Sequence, residues 1–86
     1  MKKYKVQDHI MGFIKNRVAI GNRYFYTHEI SELATAGLMR FGRRLGDYGT
    51  YNRVFRKLRE DGYLNVRRVE NSKSREARWE IRGDYA

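Results

Sequence analysis

Residues 51–64 constrain this chain more than any other stretch. Tyr51, Val54, Phe55 and Leu58 follow the i, i+3, i+4, i+7 spacing of one helix face, and Asp61-Gly62 breaks the pattern before Tyr63-Leu64. The spacing predicts a helix over 47–61, with Asp47 or Thr50 as its cap and Gly62 as the residue that ends it. Its other face carries Asn52, Arg53, Arg56, Lys57 and Arg59. A helix apolar on one side and cationic on the other needs two surroundings, a core behind it and solvent or an anionic partner in front.

The rest of the chain supplies that core. Val6, Ile10, Phe13, Ile14 and Val18 recur at helical spacing and predict a first amphipathic helix, closed by Gly21-Asn22. Tyr24-Phe25-Tyr26 has strand propensity. Thr27 is placed to cap a second helix, with Glu29 at the positive end of its dipole and Ile30, Leu33 and Ala34 on its buried face. Gly37 either ends that helix or lies within it, and Leu38 to Gly46 reads as a short helix or an ordered loop. Two strands follow, over 64–69 and 77–82. In the second, Ala77, Trp79 and Ile81 alternate onto one face. The polar stretch 70–76 joins them as a hairpin tip. A two-stranded hairpin is marginal alone, so it must pack on the helices, and Tyr24 to Tyr26 would add a third strand at its edge.

The charge balance addresses the partner. There are 19 Lys and Arg against 10 Asp and Glu, a formal charge of +9, which favours DNA, RNA or an anionic membrane surface. Arginine supplies 13 of those cations, and its planar fork suits phosphates and guanine edges, which favours nucleic acid. A heat-adapted charged surface is the competing explanation. With no cysteine there is no disulfide framework and no thiol nucleophile. No apolar run reaches the ~20 residues of a membrane span, and the basic residues 1–5 lack the apolar stretch of a signal peptide. The expectation is a single domain over 1–86, with a basic arm at 1–5, a frayed tail at 83–86 and a cytoplasmic, nucleoid-associated location.

The order of elements and two stretches together resemble the winged helix-turn-helix superfamily. Residues 25–34, Phe-Tyr-Thr-His-Glu-Ile-Ser-Glu-Leu-Ala, are similar to its opening strand and helix. Residues 50–64 are similar to its recognition helix running through Asp-Gly-Tyr-Leu into the wing, and 64–82 to the wing. Within that superfamily the chain resembles small regulators of archaea and their viruses and the MarR-like and ArsR-like repressors, although the long dimerising helices of MarR-like proteins are not evident. The connection of about 36–47 is longer than the superfamily's usual tight turn. The resemblance implies an α+β fold of three helices with a C-terminal two-stranded hairpin. It also implies sequence-specific binding of double-stranded DNA as a homodimeric transcription regulator.

In that arrangement helix 47–61 enters the major groove, and its exposed residues meet base edges. The candidate contacts are Tyr48, Thr50, Asn52, Arg53, Arg56 and Lys57, with Asn52 suited to adenine and the arginines to guanine. Arg40, Arg43 and Arg44 extend the basic stretch, since residues 40–59 hold seven cations and one acid, Asp47. At the 70–76 tip, Lys73 and Arg75 would meet backbone or minor groove, helped by Arg67, Arg68 and Arg78 on the stem. Trp79 and Phe55 read as core. Tyr24, Tyr26 and Tyr48 read as exposed, in a dimer interface or stacked on bases.

Enzyme readings find little support. His28-Glu29-Ile30-Ser31-Glu32 approaches a zinc-protease helix but has Glu32 where the second His belongs. Only His9 and His28 are present, the acids are scattered, and no glycine-rich loop precedes a Lys-Ser or Lys-Thr pair. The expectation is a non-enzyme with no cofactor, metal or small-molecule effector. The alternatives are a winged-helix protein-interaction module and an RNA-binding or replication-initiation factor.

Overall fold

The computed structural model describes residues 5–69 and 77–83. Lys73, Arg75 and the rest of the 70–76 tip lie outside the described residues, as do most of the N-terminal arm and the tail beyond Gly83. The element order is α1 (Val6–Ala19), β1 (Tyr24–Tyr26), α2 (Thr27–Phe41), α3 (Tyr48–Glu60), β2 (Val66–Arg68) and β3 (Arg78–Ile81). This is a small α+β domain of three helices and a three-stranded antiparallel sheet. The expected third strand is present, and β3 is central, with strand order β1-β3-β2.

Glycines end α1 and α3 for a shared reason. Gly21 and Gly62 have φ of +81° and +80°, which residues with a Cβ rarely adopt. After α3, Tyr63 N–H reaches Leu58 C=O at 2.9 Å and Gly62 N–H reaches Arg59 C=O at 3.2 Å. After α1, Asn22 and Gly21 bond Arg17 and Val18 in the same pattern, so both ends satisfy carbonyls that the helix leaves unpaired. Gly37 ends nothing and is buried within α2, which runs on to Phe41. The α2–α3 connection is therefore the six residues 42–47, shorter than the sequence suggested.

Register sorts the sheet into two faces. Phe25 pairs with Trp79 and Trp79 with Arg68, so those three share the face toward the helices. Tyr24, Glu80 and Arg67 share the opposite face. The edge strand β1 is covered by side chains. Arg17 donates to Tyr24 C=O, Asn22 accepts from Tyr24 N–H, and Glu29 accepts from Tyr26 N–H at 2.7 Å while also pairing with Arg17. These bonds use edge groups that would otherwise template another strand.

Thr27 departs from expectation. It is the first residue of α2 rather than its cap, because its hydroxyl is turned to β3. Thr27 Oγ1 donates to Ala77 C=O at 3.3 Å and accepts from Trp79 Nε1–H at 2.8 Å. The buried indole gains a partner there that a helix cap would have withheld.

The core gathers Ile10, Ile14, Phe25, Ile30, Tyr51, Phe55, Leu58, Leu64, Trp79 and Ile81 around α3. It also contains a histidine. His9 is 4% exposed, and its Nδ1 lies 2.6 Å from Tyr51 Oη. Its ring packs edge-on against Tyr51 and Phe41. A Cβ at Gly37 would stand 3.4 Å from Tyr51 Oη and 3.6 Å from the His9 ring, so a side chain longer than a methyl would displace the pair. Burial lowers the His9 pKa from its ordinary 6.5, and the nearby Arg40 charge adds to the lowering.

A folded-state pKa below the unfolded one means the unfolded chain takes up the proton first. His9 therefore costs nothing above pH 6.5. Stability declines as pH falls through that value and levels off once the folded form is also protonated. Urea unfolding at pH 8 and pH 5.5 is expected to give a lower midpoint at pH 5.5, and His9→Phe is expected to flatten that difference. A His9→Phe protein with the same pH dependence as the parent would contradict the assignment.

Candidate nucleic-acid interface

The cationic face of α3 is positioned from both ends and from behind. At its start Asp47 is the cap, and Oδ1 accepts from Thr50 N–H at 2.7 Å and from Thr50 Oγ1–H at 2.8 Å. Those bonds, with the Arg53 charge in support, hold the Asp47 carboxyl below the usual carboxylate range. Behind it, Tyr51, Phe55 and Leu58 are buried, while Asn52, Arg53, Arg56 and Lys57 face outward.

Two side-chain clasps tie α3 to α2. Ser31 Oγ donates to Asn52 Oδ1 at 2.8 Å, and the Thr35 hydroxyl lies 2.9 Å from Tyr48 Oη. With the Asp47–Thr50 bond, they change what three predicted contacts can do. Asn52 would have to exchange its Ser31 bond to read adenine through both amide atoms. The Thr50 hydroxyl is already given to Asp47, and Tyr48, though 55% exposed, is anchored at its hydroxyl. Arg53, Arg56 and Lys57 have the freest reach. Arg56 and Lys57 pair with Glu60 and Asp61 at 3.4 and 3.5 Å, but such exposed i,i+4 pairs are weak and easily exchanged.

Arg59 was expected on the outward face and instead folds back. Its guanidinium carbon lies 4.6 Å from the Phe55 ring centre and 4.3 Å from that of Trp79, in the corner between two rings set at 90°. Its Nε is enclosed without a hydrogen-bond partner among the described residues. Burial lowers the Arg59 pKa, Glu60 offsets part of that, and Arg56 adds to it, yet a guanidinium stays protonated. The sequence did contain a signal, since Arg59 stands four residues after Phe55 and thus over it on the same face.

Beside Arg59, α3 and the sheet enclose an open recess of about 700 Å³. Arg53, Arg56, Arg59 and Arg68 line it, Phe55, Ala77, Trp79 and Thr27 form its apolar wall, and no carboxylate is among its described lining residues. Arg68 arrives from β2 because it shares the face of Trp79, a placement that needs the strand register and so was not visible in sequence.

The other sequence candidates are dispersed. Arg40 lines a separate groove between α1 and α2 with His9, Phe13 and Asn16, so the structure does not bring it to Arg53 and Arg56. Arg43 and Arg44 are exposed in the 42–47 connection. On the sheet's far face Arg78 lies over the Tyr24 ring at 4.2 Å, which occupies that ring as a stacking surface. Among the described residues no group of three His, Asp or Glu is placed to hold a metal, and no helix is long and apolar enough to cross a membrane. No known protein family, curated protein or solved structure matches this chain.

Asp47→Ala is expected to lower the urea midpoint at neutral pH by removing the cap of α3. The carboxylate's contribution is present above the ordinary carboxyl pKa and is lost as pH falls through the lowered one. The difference between variant and parent should therefore shrink as pH falls below the ordinary carboxyl value of 3.8. A difference that persists there would mean that the cap bonds are not its source.

Proposed function

We propose that this protein binds double-stranded DNA in a sequence-specific manner as a homodimeric transcription regulator. On this reading the domain is a winged helix-turn-helix, with α2 and α3 as the paired helices and β2–β3 as the wing. The observation that carries it is the construction of α3. One face is fixed in the core by Tyr51, Phe55 and Leu58, and the other offers Asn52, Arg53, Arg56 and Lys57. A helix so anchored presents its outward side chains as a rigid set, which groove reading requires. Its Cα cylinder and side chains match the width of the major groove, whereas the deep, narrow groove of an RNA duplex excludes a helix.

Arg53, midway along α3, is the first choice for a base contact, and Arg56 and Lys57 for base or phosphate. Arg43 and Arg44 extend the cationic surface along the 42–47 connection. The homodimer follows from geometry of the target. One helix reads only a few base pairs, and two copies on half-sites one turn apart lengthen the site. The reading assigns a binding role and no catalysis, at home wherever the chain meets duplex DNA.

A gel-shift selection from random duplexes at two salt concentrations tests this. The expected result is an enriched motif whose affinity falls steeply as salt rises, with symmetric half-sites about 10 base pairs apart. Arg53→Ala should weaken the selected duplex by about tenfold or more and relax the motif at one position. Salt-sensitive binding without a motif would make the protein a non-specific nucleic-acid binder. No binding at low salt would leave the protein-interaction reading in its place.

A further inference from the structure

The four-arginine recess is built differently from the rest of the cationic surface. Arg53, Arg56 and Arg59 are spaced i, i+3, i+6 along α3, and Arg68 faces them from β2. Arg59 is not a flexible surface cation. Phe55 and Trp79 cover its faces, and Trp79 is itself held by Thr27. Its Nε is enclosed without a hydrogen-bond partner among the described residues, and burial lowers its pKa although the Glu60 charge offsets part of that. Glu60 pairs with Arg56 from outside the recess and is 65% exposed, so it does little to neutralise the interior. A planar, pre-oriented fork such as that of Arg59 is suited to an oxyanion.

We propose that this recess is a phosphate seat, with Arg59 as its fixed element and Arg53, Arg56 and Arg68 closing on the oxyanion. The proposal rests on the DNA reading only for the source of the phosphate, which is then a backbone phosphate flanking the groove that α3 enters. The seat itself follows from Arg59, held against two rings with its Nε unpaired among the described residues, and from the three further guanidiniums that line the same recess. It divides the arginines of α3 by task. Arg53 and Arg56 lie at the boundary between bases and recess, whereas Arg59 reads no base. Losing Arg59 should therefore weaken all duplexes alike, and losing Arg53 should also change which duplex is preferred.

Trp79 is the only tryptophan and touches Arg59, so its emission reports on the recess directly. Two probes are titrated separately at fixed ionic strength: a 20-base-pair duplex and inorganic pyrophosphate. The proteins are the parent, Arg59→Gln, Arg68→Gln and the control Lys15→Gln, which removes the same charge from an exposed site on α1. The expected result is a saturable change in Trp79 emission with the duplex. Affinity should fall about tenfold in each arginine variant and be little changed in Lys15→Gln. Arg68 lies on the rim, so its variant keeps the test valid if Arg59→Gln fails to fold.

Four outcomes separate the seat from the DNA reading. A response to pyrophosphate without duplex binding upholds the seat for a free phosphate and overturns the DNA reading. A response to duplex alone upholds the seat for backbone phosphate. Duplex binding of parental strength in Arg59→Gln or Arg68→Gln, with Trp79 emission unmoved, overturns the seat and leaves the DNA reading standing. No response to either probe overturns both.

Discussion

One chain of edge-to-face aromatic contacts joins four of the six elements and sets their relative placement. Phe13 meets Phe25 at 5.9 Å, Phe25 meets Phe55 at 5.8 Å, and Phe55 meets Trp79 at 5.3 Å between ring centres. The rings belong in turn to α1, β1, α3 and β3. Each such contact adds only about 0.5–1.5 kcal/mol beyond the area it buries, but edge-to-face geometry fixes ring planes as well as distances. Phe55 is the middle of that chain, so the direction of the α3 cationic face is inherited from the core. Arg59 continues the series by lying against both Phe55 and Trp79. The wall of the recess is therefore the last ring of the core, and a change in core packing would be felt at the guanidinium.

The aromatic chain does not include α2. That helix is joined through Ile30, Leu33 and Ala34 inside and through polar contacts around them. Thr27 reaches β3, Ser31 reaches Asn52, Thr35 reaches Tyr48, and Glu29 pairs with Arg17 of α1. Thr27, Ser31 and Thr35 lie four apart and so share one face of α2. Short hydroxyl side chains at that spacing bring α2 close to its neighbours while leaving few buried groups unpaired. Directional bonds of this kind resist sliding between helices more than apolar contacts do, which fixes how α3 projects.

Elements whose burial follows a simple period were legible in the sequence. The stripe of α3, the Ile30-Leu33-Ala34 face of α2 and the alternation of Ala77, Trp79 and Ile81 each took the predicted place. Strand ends were shorter than the pattern, because Leu64 is buried by packing rather than by pairing. What the sequence hid depends on partners distant along the chain. His9 has no expected place in the α1 stripe and is buried there because Tyr51, 42 residues away, supplies its hydrogen bond. Thr27 reads as a cap until the indole of Trp79 arrives from 52 residues away. For the candidate site, Arg53, Arg56 and Lys57 were found because exposure follows the same helical period as burial. Arg68 was not placed at the recess, because facing α3 is a property of register. Arg59 shares the ridge of Arg53 and Arg56, but its place four residues after Phe55 turns its guanidinium back against the core.

The arrangement of charge on α3 is poorly suited to the stability of the helix itself. Past the Asp47 cap its first turn holds no acid, although that is where the dipole favours one. Its acids, Glu60 and Asp61, stand at the other end, where the dipole disfavours them. Three arginines follow one ridge without an intervening carboxylate, and a fourth joins them from the sheet. Helix optimisation alone would intersperse the signs and reverse that gradient. The core makes the arrangement tolerable, since Tyr51, Phe55 and Leu58 hold the helix whatever its outer face carries. On the proposed reading, an anion lying across that face would offset the clustering of Arg53, Arg56 and Arg59. Charge of this sign on a helix held rigid by an apolar back is thus not explained by the needs of the fold, and the proposed partner would give it a role.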